Sequence, residues 1–283
     1  MATNPLDVYR GFNYEVAEIL APSWERRRAD IERMSSPVRE WMLRELAPGS
    51  GDTVLELAAG TGDTGFEAAG LVGDKGRVIM SDFSPGMLGA ARRRGAELAA
   101  DNVDYRVLDA EKIELEDDSV DGVLCRFGYM LMADSAAALA ETRRVLRKGS
   151  RVTLAVWGPP ERNPFFGMVG MALVQRGHIS PPEPPPAPGI FAMASPDRTK
   201  TLLEAAGFTE GRTEEVPVSF VLPDADEYLS VVSDTAGPLA LALRALPEEE
   251  RDEIRNDLQE SLTPFAAEGG YQLPGTVLCA VAA

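Results

Sequence analysis

The chain has 283 residues, 45% of them hydrophobic, enough for one three-layer core with an accessory cap. Its 45 acidic and 28 basic residues leave a net charge of -17, which argues against nucleic acid or an anionic membrane surface as a partner, because both demand a positive face. A single histidine and two cysteines, Cys125 and Cys279, both in apolar runs, argue against a metal site and a disulfide framework.

Residues 1–50 read as a helical cover. Helices are expected over residues 14–20 and 24–34, and a third opens at Ser36-Pro37 with Val38, Trp41, Met42 and Leu46 on one face. Arg26-Arg27-Arg28 reads as a solvated helix face. Nothing resembles a signal peptide or an apolar span of membrane length, so the expectation is a soluble, cytoplasmic protein without stable membrane insertion.

A short apolar strand from Val54 carries one acid, Glu56, and turns through Ala58-Ala-Gly60-Thr61-Gly62 into a helix. Small residues there let backbone N–H groups approach a ligand at a helix start. Gly60-x-Gly62-x-x-Gly65, with Asp82 downstream, also satisfies the dinucleotide fingerprint, so the loop leaves two nucleotide cofactors open. A second strand ends in Asp82, with Ser84-Pro85 starting a helix. A third, over residues 103–108, ends in Asp109. Three successive strand ends thus place a glycine turn and two acids along the edge where open parallel sheets bind ligands. A fourth strand ends in Cys125-Arg126-Phe127, and a fifth spans residues 152–157.

Over residues 54–157 the chain resembles class I S-adenosylmethionine (SAM) methyltransferases, within them the ubiquinone/menaquinone biosynthesis C-methyltransferase group. The resemblance rests on Glu56-Leu-Ala-Ala-Gly-Thr-Gly-Asp63, Leu71-Val-Gly-Asp-Lys-Gly-Arg-Val78, Asp82 with Met87-Leu88, Asp109-Ala-Glu111, Arg126-Phe-Gly128 and Arg144-Val-Leu-Arg-Lys-Gly149. It implies that Glu56, Ala58, Gly60, Thr61 and Gly62 surround the methionyl part of SAM and that Asp82 accepts the ribose hydroxyls. It also implies that Asp109 meets the adenine amino group, Ala110 touches the ring, Phe83 and Met87 flank it, and the backbone at Cys125 and Arg126, ahead of Phe127, receives the methionyl ammonium. Trp24 occupies the place of an aromatic over the methionyl end, with core packing as the other reading. The chain departs from the family at Ala58, usually glycine, and at Arg126, whose guanidinium needs a carboxylate partner or a route to solvent unless it reaches an anionic substrate.

Beyond the core, Asn163-Pro164 starts a helix over residues 165–174 that is apolar almost all round. It reads as a lid, a contact between two copies in a homodimer, or buried core. The proline run of residues 181–189 reads as a stiff connector. A helix over residues 196–207, a sixth strand over residues 214–221, two or three helices within residues 224–265 and a last strand over residues 276–282 complete the chain. The expected fold is an α/β Rossmann-like three-layer sandwich, a single domain over residues 1–283. Residues 51–158 form the SAM-binding core, and residues 159–194 and 223–270 form the cap. The resemblance implies a seven-stranded sheet of order 3-2-1-4-5-7-6 with strand 7 antiparallel.

The function expected is methyl transfer from SAM to a C, O or N atom of a small, partly apolar molecule. His178 is a candidate base, and Tyr129 and Arg126 are candidate substrate contacts. A SAM-fold cyclase, an NAD-dependent oxidoreductase and a non-catalytic SAM-binding regulator are the alternatives.

Overall fold

A computed structural model of the chain describes residues 4–183 and 187–283. Among the described residues a sheet of eight strands forms the centre: β1 (Thr53–Glu56), β2 (Arg77–Asp82), β3 (Val103–Val107), β4 (Val120–Arg126), β5 (Leu146–Trp157), β6 (Arg212–Leu222), β7 (Ala266–Ala267) and β8 (Gly270–Ala282). The order is β3-β2-β1-β4-β5-β8-β6, with β7 folded back on β8. The first five strands pair in parallel, and β8 is antiparallel to both β5 and β6. This is the expected mostly parallel sandwich, with β8 as the strand counted seventh in the sequence.

The central strands are continuous apolar runs because helices cover both faces. Val78 to Asp82 of β2 and Val152 to Trp157 of β5 are buried at every position. The edge strand β6 instead alternates, burying Val216, Val218, Phe220 and Leu222 while Glu215, Pro217 and Val221 face outward. Crossovers run through α3 (Asp63–Val72), α4 (Pro85–Leu98), α5 (Ser135–Val145) and α7 (Pro196–Ala205). Ser84, Asp134 and Ser195 cap their helices through side-chain oxygens, as the sequence signals for two of them indicate.

The N-terminal region departs from its expected division. Two helices form instead of three: α1 (Pro5–Arg26) runs through Pro22, and α2 (Arg28–Leu46) runs through Ser36-Pro37. Proline inside a helix removes the donor for the carbonyl four residues earlier. In α2 that carbonyl belongs to Arg33, and the Ser36 hydroxyl donates to it at 3.1 Å, which lets the helix continue. The chain breaks at Arg27 instead.

The remaining helices are α6 (Pro164–Gln175), α8 (Ala225–Thr235), α9 (Pro238–Ala245) and α10 (Glu248–Leu262). Helix α6 buries Phe165, Val169, Ala172 and Leu173 but leaves Met171 exposed. The strand β8 is longer than expected because it pairs with β6 well beyond the end of β5. Of the proline run, residues 184–186 lie outside the described residues. No helix among the described residues is long and apolar enough to cross a membrane.

Asn163 joins the cap to the sheet. Fully buried, it donates through Nδ2 to the carbonyls of Gly158, Pro159 and Thr276 and accepts from Thr276 N at 3.0 Å. Asn163→Ala leaves the Gly158 carbonyl and Thr276 N without this partner, while Thr276 O and Pro159 O keep backbone donors, and is expected to cost about 2 kcal/mol, read as a lowered midpoint in urea unfolding.

Candidate active site

The chain order of the sheet reverses between β1 and β4, and their carboxyl ends open a crevice there. The loop after β1 requires left-handed backbone at three positions, Ala58 (φ 51), Gly60 (φ 56) and Gly62 (φ 85). Ala58 therefore stands where glycine would be unstrained, at a cost of about 1 kcal/mol. The glycines serve different needs. A Cβ on Gly62 would lie 2.6 Å from Met80 Sδ, and one on Gly65 would overlap the Glu56 carboxylate, so both are demanded by internal packing. A Cβ on Gly60 would meet open space, which makes Gly60 the position where the loop admits a ligand.

Two carboxyl groups flank this loop. Glu56 is buried at the end of β1, and among the described residues its Oε2 has no hydrogen-bond partner. Burial, then the charge of Asp63, pushes it up to about 8, against the pull of Arg126. Asp82, also buried, ends β2 and accepts one backbone N–H on each oxygen, from Gly60 at 2.9 Å and Ser84 at 2.9 Å. Burial pushes it up to about 6 despite those bonds.

Beside Asp82, the side chains of Phe83, Met87, Leu108 and Ala110 line an apolar slot ended by Asp109. The Asp109 carboxylate accepts from Glu111 N at 2.9 Å and lies 3.7 Å from Arg10 Nε of α1. Helix α1 roofs the slot with Arg10, Asn13, Ala17, Leu20 and Trp24. Tyr14 meets Phe83 edge-on at 5.9 Å.

The same cavity, about 1060 Å³, continues past Phe127 into an aromatic chamber. Phe127 has a left-handed φ of 60, which turns the chain out of β4 and lays its ring on Trp157 at 4.6 Å and 12°. Trp157 meets Phe166 edge-on at 4.8 Å, and Phe165 stacks on Phe220 at 4.0 Å. The charged pair Arg27 and Glu227 also lines the cavity, together with Asp30 and Arg33.

Among the anticipated cofactor residues, Trp24, Glu56, Ala58, Gly60, Thr61, Asp82, Phe83, Met87, Asp109, Ala110, Arg126 and Phe127 meet at this cavity. Gly62 and Cys125 lie behind its wall, and burial pushes the Cys125 thiol up to about 12. Two anticipated catalytic residues are not brought there. The Tyr129 hydroxyl pairs with Thr142 of α5 at 2.6 Å in the core, because the 3-10 turn after β4 rotates it away. His178 lies past the end of α6 with Nε2 3.2 Å from Glu250 of α10, outside the lining. Arg126 does reach the cavity, but its guanidinium is committed to Asp63 and to Ser35 Oγ, with Arg39 3.4 Å from the same Asp63. That carboxylate is the partner the sequence demanded. The pair sits at the start of α3.

The sequence reading missed Asp63, Arg10 and the chamber residues Phe220 and Val231. Asp63 was legible only as the last letter of the glycine motif. Phe220 was legible only in the alternation of β6.

The pattern of the ubiE/COQ5 methyltransferase family matches residues 36–164. The demethylmenaquinone methyltransferase of Thermus thermophilus is 31% identical over 200 residues, covering 66% of this chain and 81% of that protein. The ubiquinone/menaquinone biosynthesis C-methyltransferase UbiE of Acidiphilium cryptum is 40% identical over 129 residues, 45% of each chain. Among solved structures, a SAM-dependent methyltransferase of Aquifex aeolicus shares the fold with a TM-score of 0.50 at 22% identity, over 72% of this chain and 92% of that one.

Because Glu56 titrates far above an ordinary carboxyl, its protonated form stabilises the folded chain. That contribution is complete below about pH 4.5 and is lost as the pH rises toward about 8. Glu56→Gln should therefore weaken the fall in melting temperature of the ligand-free protein between pH 5 and 8, measured by calorimetry at constant ionic strength.

Proposed function

Because the chain belongs to the ubiE/COQ5 methyltransferase family and is a SAM-dependent methyltransferase, we propose that its acceptor is a small, largely apolar molecule with a planar ring, held in the aromatic chamber. The observation that carries this reading is the continuity of the cavity: the loop at Gly60 and the stack of Phe127 on Trp157 line one space. The quinone-methylating activity in the names of its relatives points to the same acceptor class.

The residues present fit SAM. Open space at Gly60 admits its backbone approach, and each Asp82 oxygen, with one N–H bond, keeps capacity for a ribose hydroxyl. In this reading Glu56, Ala58, Thr61 and Gly62 hold the methionyl part, with the Cys125 and Arg126 backbone on its ammonium. Phe83, Met87 and Ala110 hold the adenine, Asp109 its amino group, and Trp24 and Phe127 wall the methionyl end.

SAM supplies a methyl group on a cationic sulfur, an electrophile that needs no further activation. The chain's part is orientation and exclusion of water. The Gly60 loop and Asp82 would hold the donor so that its methyl group faces an acceptor lying against Phe127 and Trp157. Alignment of this kind supplies about 7–11 kcal/mol. Rings stacked as Phe127 and Trp157 are offer a face for a planar acceptor.

The helices of residues 1–50 and the segments 159–194 and 223–270 act in this reading as a cap on the core 51–158 of one domain. In this reading the protein works in the cytoplasm, a homodimer stays open to it, and the charge of -17 speaks against nucleic acid as a partner.

Two measurements check this. Asp82→Ala is expected to weaken SAM binding in calorimetry by about tenfold to a hundredfold, the loss of hydrogen bonds to a charged group; unchanged affinity refutes the cofactor placement. Trp157→Ala should leave SAM affinity within about threefold while raising KM for quinols about tenfold or more, in an assay of methyl transfer to quinols, phenols and carboxylic acids read by product mass.

A further inference from the structure

Helix α1 does more than roof the crevice, because one of its side chains enters the hydrogen bonding of the Asp82 turn. Glu18 Oε1 accepts the Ser84 hydroxyl at 2.5 Å and Gly86 N at 2.9 Å. The Ser84 oxygen in turn accepts from Met87 N at 3.0 Å, so its proton is directed to Glu18, while Ser84 N donates to Asp82. A carboxylate borrowed from another helix thus completes the cap of α4 and fixes the turn that carries Asp82. Gly86 makes the approach feasible: a Cβ there would lie 3.1 Å from Ala21 and 3.2 Å from Glu18. Glu25 of the same helix grips Arg93 of α4 through both oxygens, at 2.8 and 2.7 Å.

From this geometry we propose that Glu18 is a positioning residue for the cofactor, holding the Asp82–Ser84 turn and tying the docking of α1 to occupation of the ribose site. The proposal rests on the placement of the cofactor ribose on Asp82. Glu18 acts on Asp82 in two opposed ways. Its bonds to Ser84 and Gly86 hold the turn in shape, and its charge adds to burial in raising Asp82. The other carboxyl facing Asp82 is Glu56 of β1, while the loop after β1 and the start of α4 contribute backbone N–H groups. Because Glu18 of α1 bonds the turn that carries Asp82, an effect of cofactor binding on α1 docking is matched by an equal effect of docking on binding.

The two actions separate by substitution. Glu18→Gln keeps an acceptor for Ser84 and Gly86 but removes the charge; Glu18→Ala removes both. Binding of S-adenosylhomocysteine is measured by calorimetry from pH 5 to 8.5 for the parent, both variants and Asp82→Ala. Ribose binding needs the Asp82 carboxylate, so affinity falls as the pH drops through its titration. With the Glu18 charge gone Asp82 titrates lower, and the acid limb for Glu18→Gln moves to lower pH while affinity at pH 8 stays within about threefold. Glu18→Ala loses about tenfold at pH 8. Titration of the ligand and of Glu56 is common to the parent and both Glu18 variants and cancels between them. Unchanged affinity at pH 8 in Glu18→Ala, or an equal loss in Glu18→Gln and Glu18→Ala, overturns the positioning role, and an acid limb unmoved in Glu18→Gln overturns its charge coupling to Asp82. Full affinity in Asp82→Ala instead refutes the ribose placement beneath it, a separate failure.

Discussion

Asp82 is a buried carboxylate whose hydrogen-bond partners, among the described residues, are backbone N–H groups from two turns. Burying such a group is costly without pairing, and here the pairing comes from Gly60 after β1 and Ser84 before α4. Much of the site follows from that constraint. It fixes the distance between the two turns, sets the left-handed loop around Gly60 against the end of β2, and leaves the outward lone pairs toward the crevice. Glu56, one strand over, has an Oε2 without a hydrogen-bond partner among the described residues and is the more strongly raised of the two.

The two halves of the cavity obey different physics. Around Asp82 and Asp109, carboxylates and backbone N–H groups held by strand ends and helix starts border an apolar slot. Past Phe127 the rings of Trp157, Phe165, Phe166 and Phe220 pack together in the wall, with the charged pair Arg27 and Glu227 also on the cavity. Phe127 joins the two halves: a non-glycine residue in left-handed conformation is strained, and the strain is maintained because the turned chain stacks the ring on Trp157. A reaction that needs little beyond alignment of a strong electrophile with an acceptor suits such a division.

The core strands, their acids, the Ser84-Pro85 cap and the antiparallel last strand were legible because each is local or belongs to a family pattern carried in short motifs. The breaks within the N-terminal helices were not. Pro22 and Pro37 carry a strong local signal to stop, and the Ser36 hydroxyl together with packing against the sheet overrode it in α2. Tyr129 and His178 were selected by proximity in sequence to the fourth strand and to the apolar helix. Side-chain direction decided otherwise, since a 3-10 turn sends Tyr129 to Thr142 and the end of α6 sends His178 to Glu250.

Strand periodicity, glycine placement and acids at strand ends, all properties of residues within a few positions of one another, determined the strands and a nucleotide-binding edge, and the family resemblance of the short motifs supplied the sheet order and the class of chemistry. Contacts between residues far apart in the chain decided the rest: Arg126 on Asp63, Glu18 on the start of α4, and Phe165, Trp157 and Phe220 around one chamber. Those pairings leave no local trace, because each residue obeys only its own element's periodicity until packing brings the elements together.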